Sequence, residues 1–391
     1  MCNVDNIRFL IGLPLSKSVR ARELVLDALA GEKIEIEDDN DDIFVLSRAL
    51  KQCKEHSMQL DVELDLHHSG TALRFLTAYC AVSEGEFVLR GSQRLCERPI
   101  KPLVDALLAM GADISYVDKE GFAPLRIKGK RLRGGRVRLD VSVSSQFASA
   151  LMLITDKVDG GVEIEYDGNV VSQSYIRLTE SVIERYKRGI CKSGESDWSS
   201  ATVWYAVMAI LQKGEFRFGG LSLESVQPDR VIVDVFEKLG VKTKEIEGGV
   251  AIEWSGCKMD KLELNCENMP DAVMYIVVAA CLLGVEFEIS GVKTLRVKES
   301  DRIEALMTEM RKCGYVLKYD EIGEICWLGE RCEVENVPHI NTYNDHRIAM
   351  SMAVVGLMRE IEIEDPEVVN KSYPSFWSEF DKIKNIYCDL K

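Results

Sequence analysis

Six segments of the chain combine a polar start with a strongly apolar continuation. Alanine and larger apolar residues occupy most faces of each segment, which is typical of helices that are buried in a core. We therefore predict six buried helices, at residues 18–29, 71–81, 146–154, 200–211, 271–281 and 346–357.

A second pattern alternates with the first and consists of an amphipathic helix, a glycine and a strand. Three clear copies and one weaker copy lie at residues 104–117, 233–246, 306–319 and 45–64. Gly111, Gly240 and Gly314 stand at the predicted helix ends, where a left-handed C-cap favours glycine. The pattern therefore predicts an outer helix followed by a strand at each of these places.

The two patterns together indicate a repeated unit of strand, helix, strand, helix and two further strands. Three such units in each half of the chain predict an α/β protein with two similar domains. The third unit is short, because only residues 187–196 separate its outer helix, at 176–186, from the next polar start. We expect this unit to lack its last two strands.

Composition narrows the class of partner. The 391 residues carry 49 basic and 64 acidic side chains, a net charge of −15, which argues against nucleic acid or an anionic membrane as a partner. The twelve cysteines are scattered and the five histidines show no metal-ligand spacing, so we expect reduced thiols in the cytoplasm and no metal site. We see no secretory leader or membrane span, and we expect a monomer.

Polar residues at the helix starts carry the candidate chemistry. Helix N-termini present free N–H groups and the positive end of the helix dipole, so cations there favour phosphate or carboxylate ligands. The cations in these positions are Lys17, Arg22, Arg98, Lys298, Arg302, Arg347 and Lys371. Hydroxyl and amide donors suited to a polyhydroxylated ring are Ser18, Ser144, Ser145, Gln146, Ser172 and Tyr175.

Two acids, Asp271 and Glu299, stand among these cations. A carboxylate beside cations stays ionised and can serve as a base, although Asp271 after Pro270 is equally consistent with a helix N-cap. The chain has neither a P-loop nor a G-x-G-x-x-G motif, so no nucleotide site of those kinds is indicated.

With these motifs in this order, the chain resembles the 5-enolpyruvylshikimate-3-phosphate synthases, a family of enolpyruvyl transferases of the shikimate pathway. The resemblance covers residues 13–376, and its main motifs are S-G-T-A-L-R (69–74), E-R-P-I (97–100), S-V-S-S-Q (142–146), R-V-K-E-S-D-R (296–302) and Y-N-D-H-R (343–347). It implies the inside-out α/β prism, with two similar domains of three β-α-β-α-β-β units each. The implied domains are 15–196 and, together, 1–14 and 197–391, with the active site in the cleft between them.

The resemblance also implies two small-molecule substrates, no cofactor and inhibition by glyphosate. Shikimate 3-phosphate would contact Ser18, Arg22, Ser144, Ser145, Ser172, Tyr175, Asp271 and Lys298. Phosphoenolpyruvate would contact Lys17, Gly70, Arg98, Gln146, Arg302, Arg347 and Lys371.

The implied reaction is an addition followed by an elimination. The 5-hydroxyl of shikimate 3-phosphate attacks C2 of phosphoenolpyruvate while C3 is protonated, and inorganic phosphate then leaves. The resemblance implies that Asp271 is the base, that Glu299 exchanges the proton at C3, and that Lys17 or Lys371 lies at the departing phosphate.

Two alternatives stay open at this point. One is a catalytically weakened paralogue that binds the same ligands, which is motivated by the unusual neighbours Leu15, His68 and Phe75. The other is the related transferase that acts on UDP-N-acetylglucosamine, which relies on a loop cysteine, and Cys96 lies near that position. The motifs that contain Arg98 and Arg347 favour the shikimate enzyme over the UDP-N-acetylglucosamine enzyme, and the retention of every charged site residue argues against a weakened paralogue.

Overall fold

The computed structural model describes residues 7–37, 40–56, 61–142, 144–168, 173–190 and 194–388. The chain divides into two compact units. The first unit is Lys17–Ser193, and the second combines Met1–Ser16 with Gly194–Lys391. Within the described ranges, no helix has both the length and the apolar character needed to cross a membrane.

The described residues form helices and strands in alternation. The helices are α1 (Lys17–Ala30), α2 (Asp41–Glu55), α3 (Gly70–Val82), α4 (Gln93–Cys96), α5 (Lys101–Ala109), α6 (Gln146–Ile154), α7 (Gln173–Lys187), α8 (Trp198–Leu211), α9 (Ile232–Lys238), α10 (Val273–Leu283), α11 (Arg302–Lys312), α12 (His346–Ala353) and α13 (Phe376–Cys388). The strands are β1 (Arg8–Ile11), β2 (Val62–Asp65), β3 (Glu86–Arg90), β4 (Asp113–Tyr116), β5 (Leu125–Lys128), β6 (Arg133–Asp140), β7 (Asp159–Asp167), β8 (Glu215–Gly219), β9 (Val241–Ile246), β10 (Gly249–Trp254), β11 (Lys261–Asn265), β12 (Glu286–Ser290), β13 (Lys318–Tyr319), β14 (Ile325–Trp327), β15 (His339–Ile340) and β16 (Glu362–Ile363).

Three four-stranded sheets repeat one arrangement. Their strand orders are β2-β3-β5-β4 in the first unit, and β1-β8-β10-β9 and β11-β12-β14-β13 in the second. In each sheet the first two strands are parallel and the other two join antiparallel. This repetition confirms the predicted unit and the α/β class.

The predicted unit is complete in only part of the chain. Among the described residues, two further sheets have two parallel strands each, β6-β7 in the first unit and β15-β16 in the second. Helix α7 ends at Lys187, and the described residues between it and α8 contain no strand apart from a single bridge between Ser196 and Leu15. The shortening predicted for the third unit is therefore observed.

The buried helices lie where the apolar segments predict them. Helices α8 and α10 have buried residues on every face, because nearly all their side chains are apolar. Gly111, Gly240 and Gly314 follow α5, α9 and α11 with φ of 90°, 88° and 93°, which confirms the predicted left-handed helix ends. Each unit has a large apolar core of its own.

Candidate active site

Arg302 lies at the centre of an acidic cluster in the second unit. It is the first residue of α11, and its side chain is 1% exposed. Its guanidinium donates to the carboxylates of Asp271 (2.8 Å), Glu299 (2.9 Å) and Asp345 (2.8 Å). Burial by itself would lower the pKa of Arg302, but the three carboxylates outweigh burial and raise it, so the guanidinium stays charged.

Asp271 is held by further cations. It lies in the 3₁₀ helix Pro270–Ala272, which leads into α10. Its Oδ2 accepts from Nη2 of Arg347 at 3.0 Å, and Nζ of Lys298 lies 3.8 Å from its Oδ1. Burial alone would raise the pKa of Asp271, but Arg347, Lys298 and Arg302 hold it well below its usual range. The carboxylate is therefore ionised and able to accept a proton.

Glu299 lies between two cations. Its Oε2 accepts from Arg302, and its Oε1 lies 3.7 Å from Nζ of Lys371. Lys371 is the last residue of the 3₁₀ helix Pro366–Lys371 and is 8% exposed. The cations that the structure brings together with the two predicted acids are Lys298, Arg302, Arg347 and Lys371.

Asp345 is a member of the cluster that the sequence analysis did not single out. It is the N-cap of α12, and one of its oxygens accepts from the backbone N–H of Arg347 at 3.0 Å. Its other oxygen accepts from the hydroxyl of Ser300 at 3.0 Å and from Arg302. The available signal was its place in the Y-N-D-H-R motif, next to a predicted anion-binding arginine.

Asp229 is a second acid that sequence reasoning missed. It lies in the 3₁₀ helix Pro228–Val231 and is 1% exposed. The hydroxyl of Ser199 donates to its Oδ2, whereas its Oδ1 has no hydrogen-bond partner within the described ranges. Burial, together with the negative charge of Asp271, raises the pKa of Asp229 to about 6. No sequence motif marks this residue, because its environment arises only on folding.

Arg22 is the most buried of the predicted cations in the first unit, with 2% exposure. Its guanidinium donates to the hydroxyls of Thr179 (2.8 Å) and Ser149 (3.2 Å). It also donates to the carbonyl oxygens of Ser18 (2.6 Å) and Tyr175 (3.4 Å). Burial lowers the pKa of Arg22 to about 10. A buried cation among neutral oxygens strongly favours an incoming anion, because nearby negative charge offsets the cost of its burial.

Gly70 is the first residue of α3 and lies against the guanidinium groups of Arg98 and Arg74. A Cβ at this position would collide with Arg98 and Arg74. Arg74 donates to the carbonyl oxygens of Gly70 (3.0 Å) and Pro99 (3.3 Å), which fixes the turn. Among the described residues, the Nε of Arg98 has no hydrogen-bond partner. Glycine therefore lets Arg98 lie against the start of α3, where an anion can approach both.

The start of α6 contacts the start of α3. The amide Nε2 of Gln146 donates to the hydroxyl of Thr71 at 3.1 Å, and the backbone N–H of Gln146 donates to the hydroxyl of Ser144 at 3.3 Å. Ser145 is the N-cap of α6 and is buried. These donors at the start of α6 therefore lie beside the start of α3, where Gly70 is the first residue.

Lys17, the first residue of α1, pairs with an acid that the sequence did not indicate. Its Nζ lies 2.9 Å from Oδ2 of Asp42 in α2. The side chains are 19% and 9% exposed, so the ammonium is within reach of solvent and of a ligand.

The second unit thus brings its predicted site residues together around Asp271 and Glu299, whereas those of the first unit lie around Arg22, beside Gly70 and at Lys17. Ser172 lies outside the described residues. In the part of the chain that the structure describes, no group of three or more His, Cys, Asp or Glu side chains could hold a metal ion.

Comparison with known proteins agrees with this fold. The sequence profile of EPSP synthase (3-phosphoshikimate 1-carboxyvinyltransferase) matches residues 8–197 and 193–380. A 3-phosphoshikimate 1-carboxyvinyltransferase of Bacteroides fragilis is 37% identical over 399 residues, which covers 97% of this chain and 96% of that protein. A protein of the same name from Haemophilus influenzae is 34% identical over 420 residues, with 95% and 96% covered.

Solved structures show the same fold. An EPSP synthase of Acinetobacter baumannii superposes with a TM-score of 0.69 at 19% identity, and 96% of each chain is covered. A second structure of EPSP synthase from that organism gives a TM-score of 0.68 over 98% of this chain. Because the profile and the relatives span nearly the whole sequence, the chain belongs to the EPSP synthase family of enolpyruvyl transferases.

Proposed function

We propose that this chain transfers the enolpyruvyl group of phosphoenolpyruvate to the 5-hydroxyl of shikimate 3-phosphate, and that the residue groups of both units act on these two substrates. Family membership supports the reaction. The geometry of the two groups supports the individual roles below.

One observation carries the assignment of the base. Asp271 is partly buried and yet ionised, because Arg347, Lys298 and Arg302 surround it. A general base must be unprotonated before the reaction, and the surrounding cations keep Asp271 in that form. Bound anionic substrates offset the charge of those cations and so raise the proton affinity of Asp271 when it acts. Asp271 removes the proton from the 5-hydroxyl of shikimate 3-phosphate while the oxygen of that hydroxyl bonds to C2 of phosphoenolpyruvate.

Glu299 is the second carboxylate of the cluster and handles the other proton. It enters the reaction as the protonated acid, delivers that proton to C3 during addition, and takes a proton back from C3 during elimination, which restores the acid form. The C2–oxygen bond to the phosphate then breaks, and inorganic phosphate leaves with the bonding electrons. Lys371, 3.7 Å from Glu299, is proposed to stabilise this departing negative charge.

The cations of both units supply anion binding. Arg22 is a buried cation among neutral acceptor oxygens and suits shikimate 3-phosphate. Ser18, Ser144, Ser145 and Tyr175 are proposed as further contacts of that substrate on the resemblance. Arg98 beside Gly70 suits phosphoenolpyruvate, as do Lys17 and Gln146. Ser172 is proposed as a further shikimate 3-phosphate contact on the resemblance alone.

The chain is further proposed to act as a monomer in the cytoplasm, without nucleic acid or a membrane as a partner. Its net charge of −15 and its twelve scattered cysteines support this. Light scattering on the purified chain tests the monomeric state, and fractionation of expressing cells tests the cytoplasmic location.

Phosphate release tests the proposed reaction. The purified chain is mixed with both substrates, with either one alone, and with UDP-N-acetylglucosamine in place of shikimate 3-phosphate. We expect inorganic phosphate only when shikimate 3-phosphate and phosphoenolpyruvate are both present. Release with UDP-N-acetylglucosamine, or from phosphoenolpyruvate alone, contradicts the proposal.

A further inference from the structure

Glu309 is a fully buried acid that the proposed chemistry does not use. It lies on α11, seven residues after Arg302, so the two side chains share one face of the helix. Its exposure is 0%, and its Oε2 accepts from Nζ of Lys312 at 2.7 Å. Its Oε1 accepts from the hydroxyl of Tyr343 at 2.7 Å.

These contacts tie α11 to the segment that precedes α12. Oε2 of Glu309 also accepts from the backbone N–H of Asn341 at 3.3 Å, and Oδ1 of Asn341 accepts from the backbone N–H of Tyr343 at 2.7 Å. Lys312 donates in addition to the carbonyl oxygen of His339 in β15 at 2.7 Å. Glu309 and Lys312 together therefore hold the chain from β15 to Tyr343.

The segment that is held in this way is strained. Tyr343 and Asn344 adopt consecutive left-handed conformations, with φ of 53° and 54°. This region is unfavourable for a bulky aromatic residue, and it persists only where surrounding contacts enforce it. The hydroxyl contact with Glu309 is a contact of this kind.

The strained pair leads directly into the cluster around Arg302. The next residue, Asp345, accepts from Arg302 at 2.8 Å and from the backbone N–H of Arg347 at 3.0 Å. Helix α11 is thus joined twice to the segment that precedes α12, by Arg302 with Asp345 and by Glu309 with Tyr343. A change in the second junction alters the direction from which Asp345 and Arg347 enter the site.

We infer that Glu309 is a positioning residue of this site, which acts through Tyr343 to hold Arg347 in the geometry that binds phosphoenolpyruvate. The inference rests on the proposed function, because it takes Arg347 as a phosphoenolpyruvate contact. Glu309 itself touches neither substrate, since Tyr343, Lys312 and Asn341 occupy its two oxygens.

Steady-state kinetics of the full chain test the inference, with Tyr343→Phe as the mildest variant. It removes only the hydroxyl that reaches Glu309. We expect the KM for phosphoenolpyruvate to rise at least fivefold, while the KM for shikimate 3-phosphate stays within twofold of the parent value. The matched control is Tyr315→Phe, a buried tyrosine of the same unit whose ring packs on Arg331 and Trp327, and it should leave both KM values unchanged.

Two variants of Glu309 complete the test. Glu309→Gln keeps an acceptor oxygen for Tyr343 and should raise the KM for phosphoenolpyruvate less than Glu309→Leu does. If Glu309→Leu does not fold, Tyr343→Phe and Glu309→Gln still decide the question. Glu309→Gln should also have a smaller effect in the Tyr343→Phe background than in the parent.

The outcomes separate this inference from the proposed function. A parent chain that releases no phosphate overturns the proposed function and this inference with it. An active parent, with a KM for phosphoenolpyruvate that Tyr343→Phe leaves within twofold or with both KM values raised equally, overturns the inference alone.

Discussion

Arg302 and Asp345 form an ion pair in which both side chains are withdrawn from solvent. Nε of Arg302 lies 2.8 Å from Oδ2 of Asp345, and the side chains are 1% and 0% exposed. Two buried charges cost much to desolvate, so their pairing is most valuable when further groups satisfy the remaining oxygens and N–H groups. Ser300 and the backbone of Arg347 do so for Asp345.

Asp345→Asn tests how far this pair stabilises the second unit. The asparagine amide removes one of the three negative charges around Arg302, and its NH₂ group faces donors where the carboxylate accepted hydrogen bonds. The free energy of unfolding should therefore be about 3–5 kcal/mol lower than in the parent. Urea unfolding at pH 7 measures this change. The control is Glu330→Gln, which breaks an exposed pair with Lys318 and should change stability by about 0–1 kcal/mol. Equal effects of the two variants would contradict the special role of the buried pair.

Asp271→Asn should nearly abolish turnover while the chain stays folded. The amide keeps the shape of the side chain but cannot take the proton of the 5-hydroxyl, and general bases contribute about 10²–10⁴-fold. Phosphate release under saturating substrates, with a circular dichroism spectrum alongside, gives the result. A folded variant with near-parental kcat would show that Asp271 is not the base.

Glu299→Gln should lower kcat by a similar factor of about 10²–10⁴, because no carboxyl group then exchanges the proton at C3. Exchange of the C3 hydrogens of phosphoenolpyruvate with deuterated water offers a more specific reading. Exchange should occur with the parent and be lost with Glu299→Gln. The exposed Glu333→Gln is the control and should retain both activities. Persistent exchange in Glu299→Gln would assign the proton to another group.

Gly70→Ala should weaken phosphoenolpyruvate binding, because the added Cβ collides with Arg98 and Arg74. The colliding atoms are the ends of the two guanidinium groups, so Arg98 must move away from α3, and the KM for phosphoenolpyruvate should rise several-fold. Gly219→Ala is the control, since a Cβ there meets nothing within 4 Å. If Gly70→Ala leaves the KM for phosphoenolpyruvate unchanged, the position of Arg98 against α3 is not required for phosphoenolpyruvate binding.

Asp229 should make stability depend on pH. Its folded pKa of about 6 lies above the ordinary value of 3.8, so the folded state binds the proton more tightly than the unfolded state. Stability therefore falls as pH rises from about 4 to about 6, by about 3 kcal/mol for a shift of roughly two units. Asp229→Asn has no carboxyl group to titrate at this position. The free energy of unfolding of the variant, relative to that of the parent, should therefore increase as pH rises from about 4 to about 6. Urea unfolding at pH 4.5 and pH 7 checks this, and a difference that does not vary with pH would contradict it.

The sequence predicted the helix starts and their cations because the signal is local. Charged residues such as Arg302 and Arg347 stand out at the start of apolar segments, and Gly111, Gly240 and Gly314 mark helix ends. The shortening of the third unit was predicted from the small number of residues, 187–196, between its outer helix and the next polar start.

The partners of these cations could not be predicted in the same way. Asp42 meets Lys17 across 25 residues, and Asp345 meets Arg302 across 43 residues, so each pairing depends on how helices pack. The raised pKa of Asp229 depends on burial and on Asp271, neither of which is local. The sequence also predicted five full units beside the shortened third one, whereas the four-stranded sheet occurs three times in the described residues.

Phosphorus NMR of one reaction mixture tests the central claim most directly. The chain is incubated with equal amounts of shikimate 3-phosphate and phosphoenolpyruvate, and the phosphorus signals are followed with time. The account predicts that the two substrate signals decline together, while inorganic phosphate and one new phosphate monoester, 5-enolpyruvylshikimate 3-phosphate, appear in equal amounts. Inorganic phosphate without the new ester, or an unchanged shikimate 3-phosphate signal, would contradict it.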